Sequence, residues 1–196
     1  ILNAKGAQVR RVVVSESQNG IFIEGADSAR IENCLLTGNR TGLTMANSAD
    51  CTAVNLTLAR NATLGMTIAN SRDLRVFNNL VVYSSIGVRL DGENPGLALD
   101  HNLYIANFTG SIGGVKGTPS RRKVPAWSAL SGQDRHSLML PVELDEQGRV
   151  ASVLPWAPTL PTSVPYGTKK LAGAAAPETD MAGMKRGKWQ GLGAFA

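Results

Sequence analysis

Apolar and polar residues alternate in one short phrase that the chain repeats. After Gly20 it reads Ile21, Phe22, Ile23, and after Gly42 it reads Leu43, Thr44, Met45. After Gly65 it reads Met66, Thr67, Ile68, and after Gly87 it reads Val88, Arg89, Leu90. These glycines are 22, 23 and 22 residues apart. The outer two positions of each phrase are apolar and the middle one mostly polar, which predicts a strand with one face in and one face out. Two further apolar columns keep the same step. One is Val9, Ile31, Ala53, Val76, Leu99, and the other is Val14, Leu36, Leu58, Val81, Tyr104. Turn residues separate them: Ala-Asn-Ser at 46–48 and 69–71, and Asn33, Asn55 and Asn78.

Runs this short and this β-branched do not build a helical repeat. Strands that always return in the same direction do not build hairpins. The pattern predicts a coil of three strands that stacks on the next coil, each strand parallel to its copy about 4.8 Å away. The expected fold is all-β: a right-handed, single-stranded parallel β-helix of about five coils, with an irregular C-terminal tail covering it. Asn79 and Asn102 share one column, below Val12, Cys34 and Leu56, at the bend before the third strand. Stacked amides there are expected to bond each other and the backbone. Ile1 has the phase of Ile23, Ala4 that of Ala26 and Val9 that of Ile31, so the chain opens in mid-coil. An uncovered coil end presents unpaired N–H and C=O groups. The expectation is therefore a piece of a longer helix, or a chain whose first coil stacks on missing N-terminal coils or on another chain.

Composition divides the chain near residue 110. Residues 1–110 carry nine Lys/Arg and nine Asp/Glu, whereas residues 111–196 carry eleven and six, so the net charge of +5 belongs to the second part. Eight of the nine prolines and all three tryptophans lie there too. The expected units are the β-helix coils over 1–110 and a Gly/Pro-rich basic extension over 111–196 that packs on them. Prolines at 155, 158, 161 and 165 exclude helix and central strand there. Cys34 and Cys51 fit no metal spacing and no disulfide framework, and read as small core residues. A hydrophobic fraction of 43% excludes a disordered chain, and no apolar run reaches the length of a membrane span.

The coil grammar, apolar-x-x-Asn-x-apolar followed by Gly-apolar-x-apolar, is similar to the right-handed β-helix repeats of the pectin-lyase-like superfamily. The tail resembles the C-terminal part of its secreted bacterial members. "LDHNLYIANF" looks like their last coil and "WSALSGQDRHSL" like the loop after it. The ending resembles their closing D-x-x-G-x-x-R … G-A-F/Y-E signature, here Asp180, Gly183, Arg186, Gly193, Ala194 and Phe195. Ala196 replaces the final acidic residue, and the segment before Gly193 lacks the usual Asp. The resemblance implies a secreted, extracellular or cell-surface protein in contact with polysaccharide. It does not imply one reaction, because the superfamily holds lyases, hydrolases, uronate epimerases and non-enzymatic surface proteins.

The outward columns are sparse. They present Phe22, Thr44, Thr67 and Arg89 on the strands, and Glu24, Ala46, Ala69 and Asp91 just after them. A glycoside hydrolase needs paired carboxylates about 5–10 Å apart. Glu24 and Asp91 lie three coils apart, about 14 Å by strand spacing. The aspartates that the pectin-hydrolase resemblance implies before each glycine are absent, since Asn19, Thr41, Leu64 and Ile86 stand there. A lyase or epimerase needs a base and a cationic partner for the uronate carboxylate. Arg89 beside Asp91 comes nearest, and Arg40, Arg89 and Asp91 are the expected substrate-binding residues for an acidic sugar.

No acidic cluster marks a calcium site, and no metal or other cofactor is expected. His101 falls in the Asn33/Asn55/Asn78 column and reads as structural. His136 could be oriented by Asp134, but reads as a loop-pinning residue. Arg121, Arg122, Lys123, Lys169 and Lys170 lack the aromatic residues of a nucleic-acid module, so no nucleic acid is expected. The N-x-T triplets at 39–41, 55–57, 61–63 and 107–109 read as turn and strand residues. The expected function is the C-terminal part of an extracellular carbohydrate-active protein, with lyase or epimerase chemistry ahead of hydrolase. A non-enzymatic adhesion or structural module is the alternative, and a phage tail-fibre module a weaker one.

Overall fold

A computed structural model of the chain describes residues 1–105, 108–112, 124–139, 142–145, 150–153, 167–186 and 193. Each coil is three strands. The first holds β1 (Gln8–Arg10), β2 (Val13–Ser15) and β3 (Asn19–Glu24), and the second β4 (Arg30–Glu32), β5 (Leu35–Thr37) and β6 (Thr41–Ala46). The third holds β7 (Thr52–Val54), β8 (Thr57–Ala59) and β9 (Leu64–Ala69), and the fourth β10 (Arg75–Phe77), β11 (Leu80–Val82) and β12 (Ile86–Asp91). The fifth holds β13 (Ala98–Asp100), β14 (Leu103–Ile105) and β15 (Phe108–Ile112). Like strands stack into three parallel sheets, β1-β4-β7-β10-β13, β2-β5-β8-β11-β14 and β3-β6-β9-β12-β15. This is the expected parallel β-helix.

The register follows the apolar columns residue by residue. Val9, Ile31, Ala53, Val76 and Leu99 are successive partners. So are Val14, Leu36, Leu58, Val81 and Tyr104. Ile21, Leu43, Met66 and Val88 form the third inward file, and all three files meet in one core. Asn33, Asn55, Asn78 and His101 turn the chain between the first and second sheets at φ 53, 55, 57 and 56°. Asn and His reach this left-handed region more readily than β-branched residues, which explains the polar column.

Amide ladders line the bends. Asn79 Nδ2 donates to Asn102 Oδ1 at 3.0 Å, and the backbone N–H of Leu56 donates to Asn79 Oδ1 at 2.9 Å. A second ladder joins Asn39 to Asn61 through the Asn39 N–H at 3.0 Å. Asn39, Asn55 and Asn61 are therefore buried structural residues. Cys34 and Cys51 are free thiols buried in the core, and burial pushes both thiols up.

The far end departs from the sequence expectation. The coil register runs past residue 110, because β15 extends to Ile112 with Val88 opposite Gly110 and Leu90 opposite Ile112. Gly110 thus takes an inward position with no side chain. The indole of Trp127 fills the space: a Cβ built on Gly110 would lie 2.8 Å from three of its ring atoms. Trp127 stands on α1 (Val124–Ser131), a helix where the sequence suggested loop. Pro125 suits its first turn and Gly132, at φ 72°, ends it.

After α1 the chain adds β16 (Leu138–Met139) to β14, making the second sheet six-stranded. Asp134 fastens this cap. Its Oδ1 accepts from Ser137 Oγ at 2.5 Å and Asn102 Nδ2 at 3.1 Å, and its Oδ2 from Trp127 Nε1 at 2.8 Å and Tyr104 Oη at 3.0 Å. Burial pushes this carboxyl up to about 6, even against those four donors.

The tail continues through the antiparallel pair β17 (Val142–Leu144) and β18 (Val150–Val153), then the pair β19 (Lys170–Leu171) and β20 (Ala174–Ala175). Residues 167–186 lie along the asparagine bend. Asn78 exchanges two hydrogen bonds with the backbone of Thr168, at 2.8 and 2.7 Å. Asn33 Nδ2 donates to Thr179 O at 2.7 Å, and Arg186 donates to Asn33 Oδ1 at 2.8 Å and to Gly193 O at 3.0 Å. The Asp180–Gly183–Arg186 motif is thus a fastening: Asp180 Oδ1 accepts from the Met184 N–H at 2.8 Å and Arg186 is buried. Ala194, Phe195, the basic run 121–123 and the prolines at 155–165 lie outside the described residues. Among the described residues no helix is long and apolar enough to cross a membrane.

Candidate metal centre

The fifth coil and its cap bring three chemically active side chains together. Asp100 ends β13, and His101 follows it at the left-handed bend. His136 comes from the loop between α1 and β16, placed there because Asp134 is anchored below it and Leu138 pairs above. The backbone N–H of His136 donates to Asp100 Oδ1 at 2.7 Å, and its ring Nδ1 lies 2.6 Å from Asp100 Oδ2. The rings of His101 and His136 stack with centroids 5.1 Å apart and planes 14° apart. One ligand atom from each of Asp100, His101 and His136 falls within 4.8 Å of the others.

Electrostatics keep the trio ready for a cation. Burial, the largest influence, pushes the Asp100 carboxyl up. The His136 ring and the N–H groups of His136 and His101 outweigh it and hold the group below its ordinary value. Burial lowers His101, so its imidazole stays neutral with its lone pair free over more of the pH range. Both depressed pKa values give stability that is complete above the unfolded values and lost as pH falls through the folded ones. For His101 that window opens at about 6.5. In metal-free protein this contribution is expected to lower the urea midpoint as pH drops below 6.5, against the opposite trend from the buried Asp134 carboxyl. His101→Asn, which restores the residue used at 33, 55 and 78, is expected to remove part of that fall. An unchanged pH slope in His101→Asn would contradict this.

The donor chemistry fits a metal. Imidazole with carboxylate suits Cu(II), Ni(II) and Zn(II), while thiolate and thioether select Cu(I). Asp100 on Nδ1 of His136 is the carboxylate–histidine pairing that fixes a ligating ring and raises its basicity. Atoms sharing one ion at bonds of about 2.0–2.1 Å stand about 3–4 Å apart. The ligand atoms, within 4.8 Å of one another, must adjust to share an ion, and the His136 side chain, 68% exposed, has room to do so.

The sequence did not bring these residues together. It treated His101 as one more bend residue and paired His136 with Asp134. Asp134 instead faces inward, and Asp100 is the partner of His136. The available signal was His101 itself, the one column member with a metal-ligating side chain, preceded by an aspartate. The expected sugar-binding residues lie elsewhere. Arg89 Nε pairs with Asp91 Oδ2 at 2.8 Å on the outward face of β12. Arg40 is exposed at the bend before β6, two coils away, about 10 Å along the stack by strand spacing and four residues earlier in register.

Residues 1–115 match the family described as NosD, periplasmic copper-binding protein. No curated protein and no solved structure matches the chain.

Proposed function

The chain belongs to the NosD family of right-handed β-helix proteins, and on that premise we propose that it is a periplasmic module that holds Cu(II) at Asp100, His101 and His136. The observation that carries this is the convergence of two imidazoles and a carboxylate from segments 36 residues apart. His101 and His136 supply nitrogen. Asp100 orients the His136 ring and adds negative charge. Cu(II) stands at the top of the affinity order for such donors. Both cysteines are sealed in the core, so no thiolate reaches the site to favour Cu(I).

Calorimetric titration tests the reading. One Cu(II) is expected per chain, bound more tightly than Zn(II). His136→Gln removes that binding, and Asp100→Asn weakens it by about 10–100-fold, the usual cost of losing an orienting partner. Equal binding in wild type and His136→Gln would contradict it.

A second reading concerns polysaccharide, acidic polymers included. Its support is the register of the long strands, which puts Phe22, Thr44, Thr67 and Arg89 in one outward file with an exposed aromatic at one end. Arg89 and Arg40 would meet the uronate carboxylates, and Asp91 would position Arg89. Retardation in gels containing acidic polysaccharide is expected for wild type and not for Arg89→Ala. Mobility that no polymer changes would remove this reading.

A further inference from the structure

Copper at this site would touch two parts of the chain that Asp134 and Trp127 already join in the interior. Asp100 and His101 belong to the last coil, and His136 to the cap that closes it. Backbone bonds outside the β14–β16 pairing also join them. The N–H of Asp134 donates to Leu99 O at 2.7 Å and that of Leu138 to Asn102 O at 2.9 Å. Side chains add the Asn102 N–H to Ser137 Oγ at 2.8 Å and the Leu99 N–H to Gln133 Oε1 at 2.9 Å. The strand that the cap contributes, β16, is two residues long. Short elements at the end of a stack are where local opening occurs.

We propose that the bound metal is a removable crosslink between the last coil and its cap, so that copper controls how often that end of the β-helix opens. The proposal rests on the copper reading above. Opening carries His136 away from Asp100 and His101 and so breaks the site, which makes copper a ligand of the closed form alone. Such a ligand suppresses opening by the factor 1 + [L]/Kd, about 100-fold at 100 Kd. The consequence is local. β14 is bonded to β11 on one edge and to β16 on the other. When the cap lifts, Leu103 and Tyr104 lose their partners on the second edge of β14, which becomes available for strand pairing.

Hydrogen exchange on the intact chain, with free Cu(II) set by a glycine buffer, tests this. The amides of Asp134, Ser137 and Leu138 are expected to slow in proportion to free Cu(II), by about 100-fold at 100 Kd. The amides of β6 and β9, two coils or more away, are expected to keep their rates. His101→Asn and His136→Gln should both abolish the slowing. The first keeps the bend, since Asn holds the same φ at 33, 55 and 78. The second changes an exposed ring, so a folding failure of one leaves the other. Calorimetric binding of Cu(II) without slowing of the cap amides overturns the crosslink and leaves the copper reading standing. Absence of Cu(II) binding overturns both. Equal slowing in His136→Gln also overturns the crosslink, because it would act through another site.

Discussion

Gly65→Ala is expected to destabilise the protein by about 3–4 kcal/mol, the upper range of overpacking costs, and to lower Tm by about 10 °C in a chain of this size. The glycine column at 20, 42, 65 and 87 has no need of positive φ here. At 20, 42 and 65 the coils approach too closely for a side chain. A Cβ on Gly65 would lie 2.5 Å from the carbonyl oxygen of Gly87 and 2.5 Å from Val81 Cγ1. On Gly42 it would lie 2.6 Å from the carbonyl oxygen of Gly65. A flexible neighbour could move aside, but a backbone carbonyl in a parallel ladder cannot without parting the coils. Thr44→Ala, on the outward side of the same sheet, serves as control and is expected to stay within about 0.5 kcal/mol. Urea unfolding of the two variants beside wild type checks the difference. A Gly65→Ala protein as stable as Thr44→Ala would mean that the coils do not stack this tightly.

The second large effect is expected from Asp134→Asn, about 2–4 kcal/mol at neutral pH. Each carboxylate oxygen accepts from one group that can only donate, Oδ1 from the Asn102 amide and Oδ2 from the Trp127 N–H. An asparagine amide can face only one of them with its oxygen. Its NH2 must oppose the other, leaving a buried donor unsatisfied at about 1–3 kcal/mol besides the lost charge-assisted bond. The pH dependence has a definite sign. The folded pKa of about 6 is above the ordinary 3.8, so the protonated form favours the folded state. That stability is complete below about pH 4 and lost as pH rises through 6. The gap between wild type and Asp134→Asn should therefore widen from pH 7 to pH 4. Urea midpoints of both proteins across that range measure it. A gap that narrows on acidification would contradict the buried, upshifted carboxyl.

The coils were legible because each one obeys the same local constraint. Ile31, Ala53, Val76 and Leu99 must face one core, and Asn33, Asn55 and Asn78 must make one left-handed bend, so both leave a period in the chain. The amide ladder from Asn79 to Asn102 was legible for the same reason. What the columns could not show is where they stop. The cap occurs once and has no period. Its eight-residue helix carries no acidic residue in its first turn to mark its start. Its key contact, Trp127 over Gly110, replaces an inward side chain instead of repeating one. The cluster of Asp100, His101 and His136 escaped for a related reason. Asp100 and His101 meet His136 only because Asp134 and Leu138 hold the loop, and that is a tertiary fact spanning 36 residues. Sequence spacing therefore pointed to Arg89 and Asp91 on the long-strand face and to Arg40 at the bend before it.

Electron paramagnetic resonance of the protein loaded with one Cu(II) per chain tests the central claim most directly. The expected spectrum shows a tetragonal ion with superhyperfine structure from two imidazole nitrogens, a signal that is absent from His101→Asn and from His136→Gln at the same free Cu(II). A spectrum that both substitutions leave unchanged would place the copper elsewhere and contradict the site at Asp100, His101 and His136.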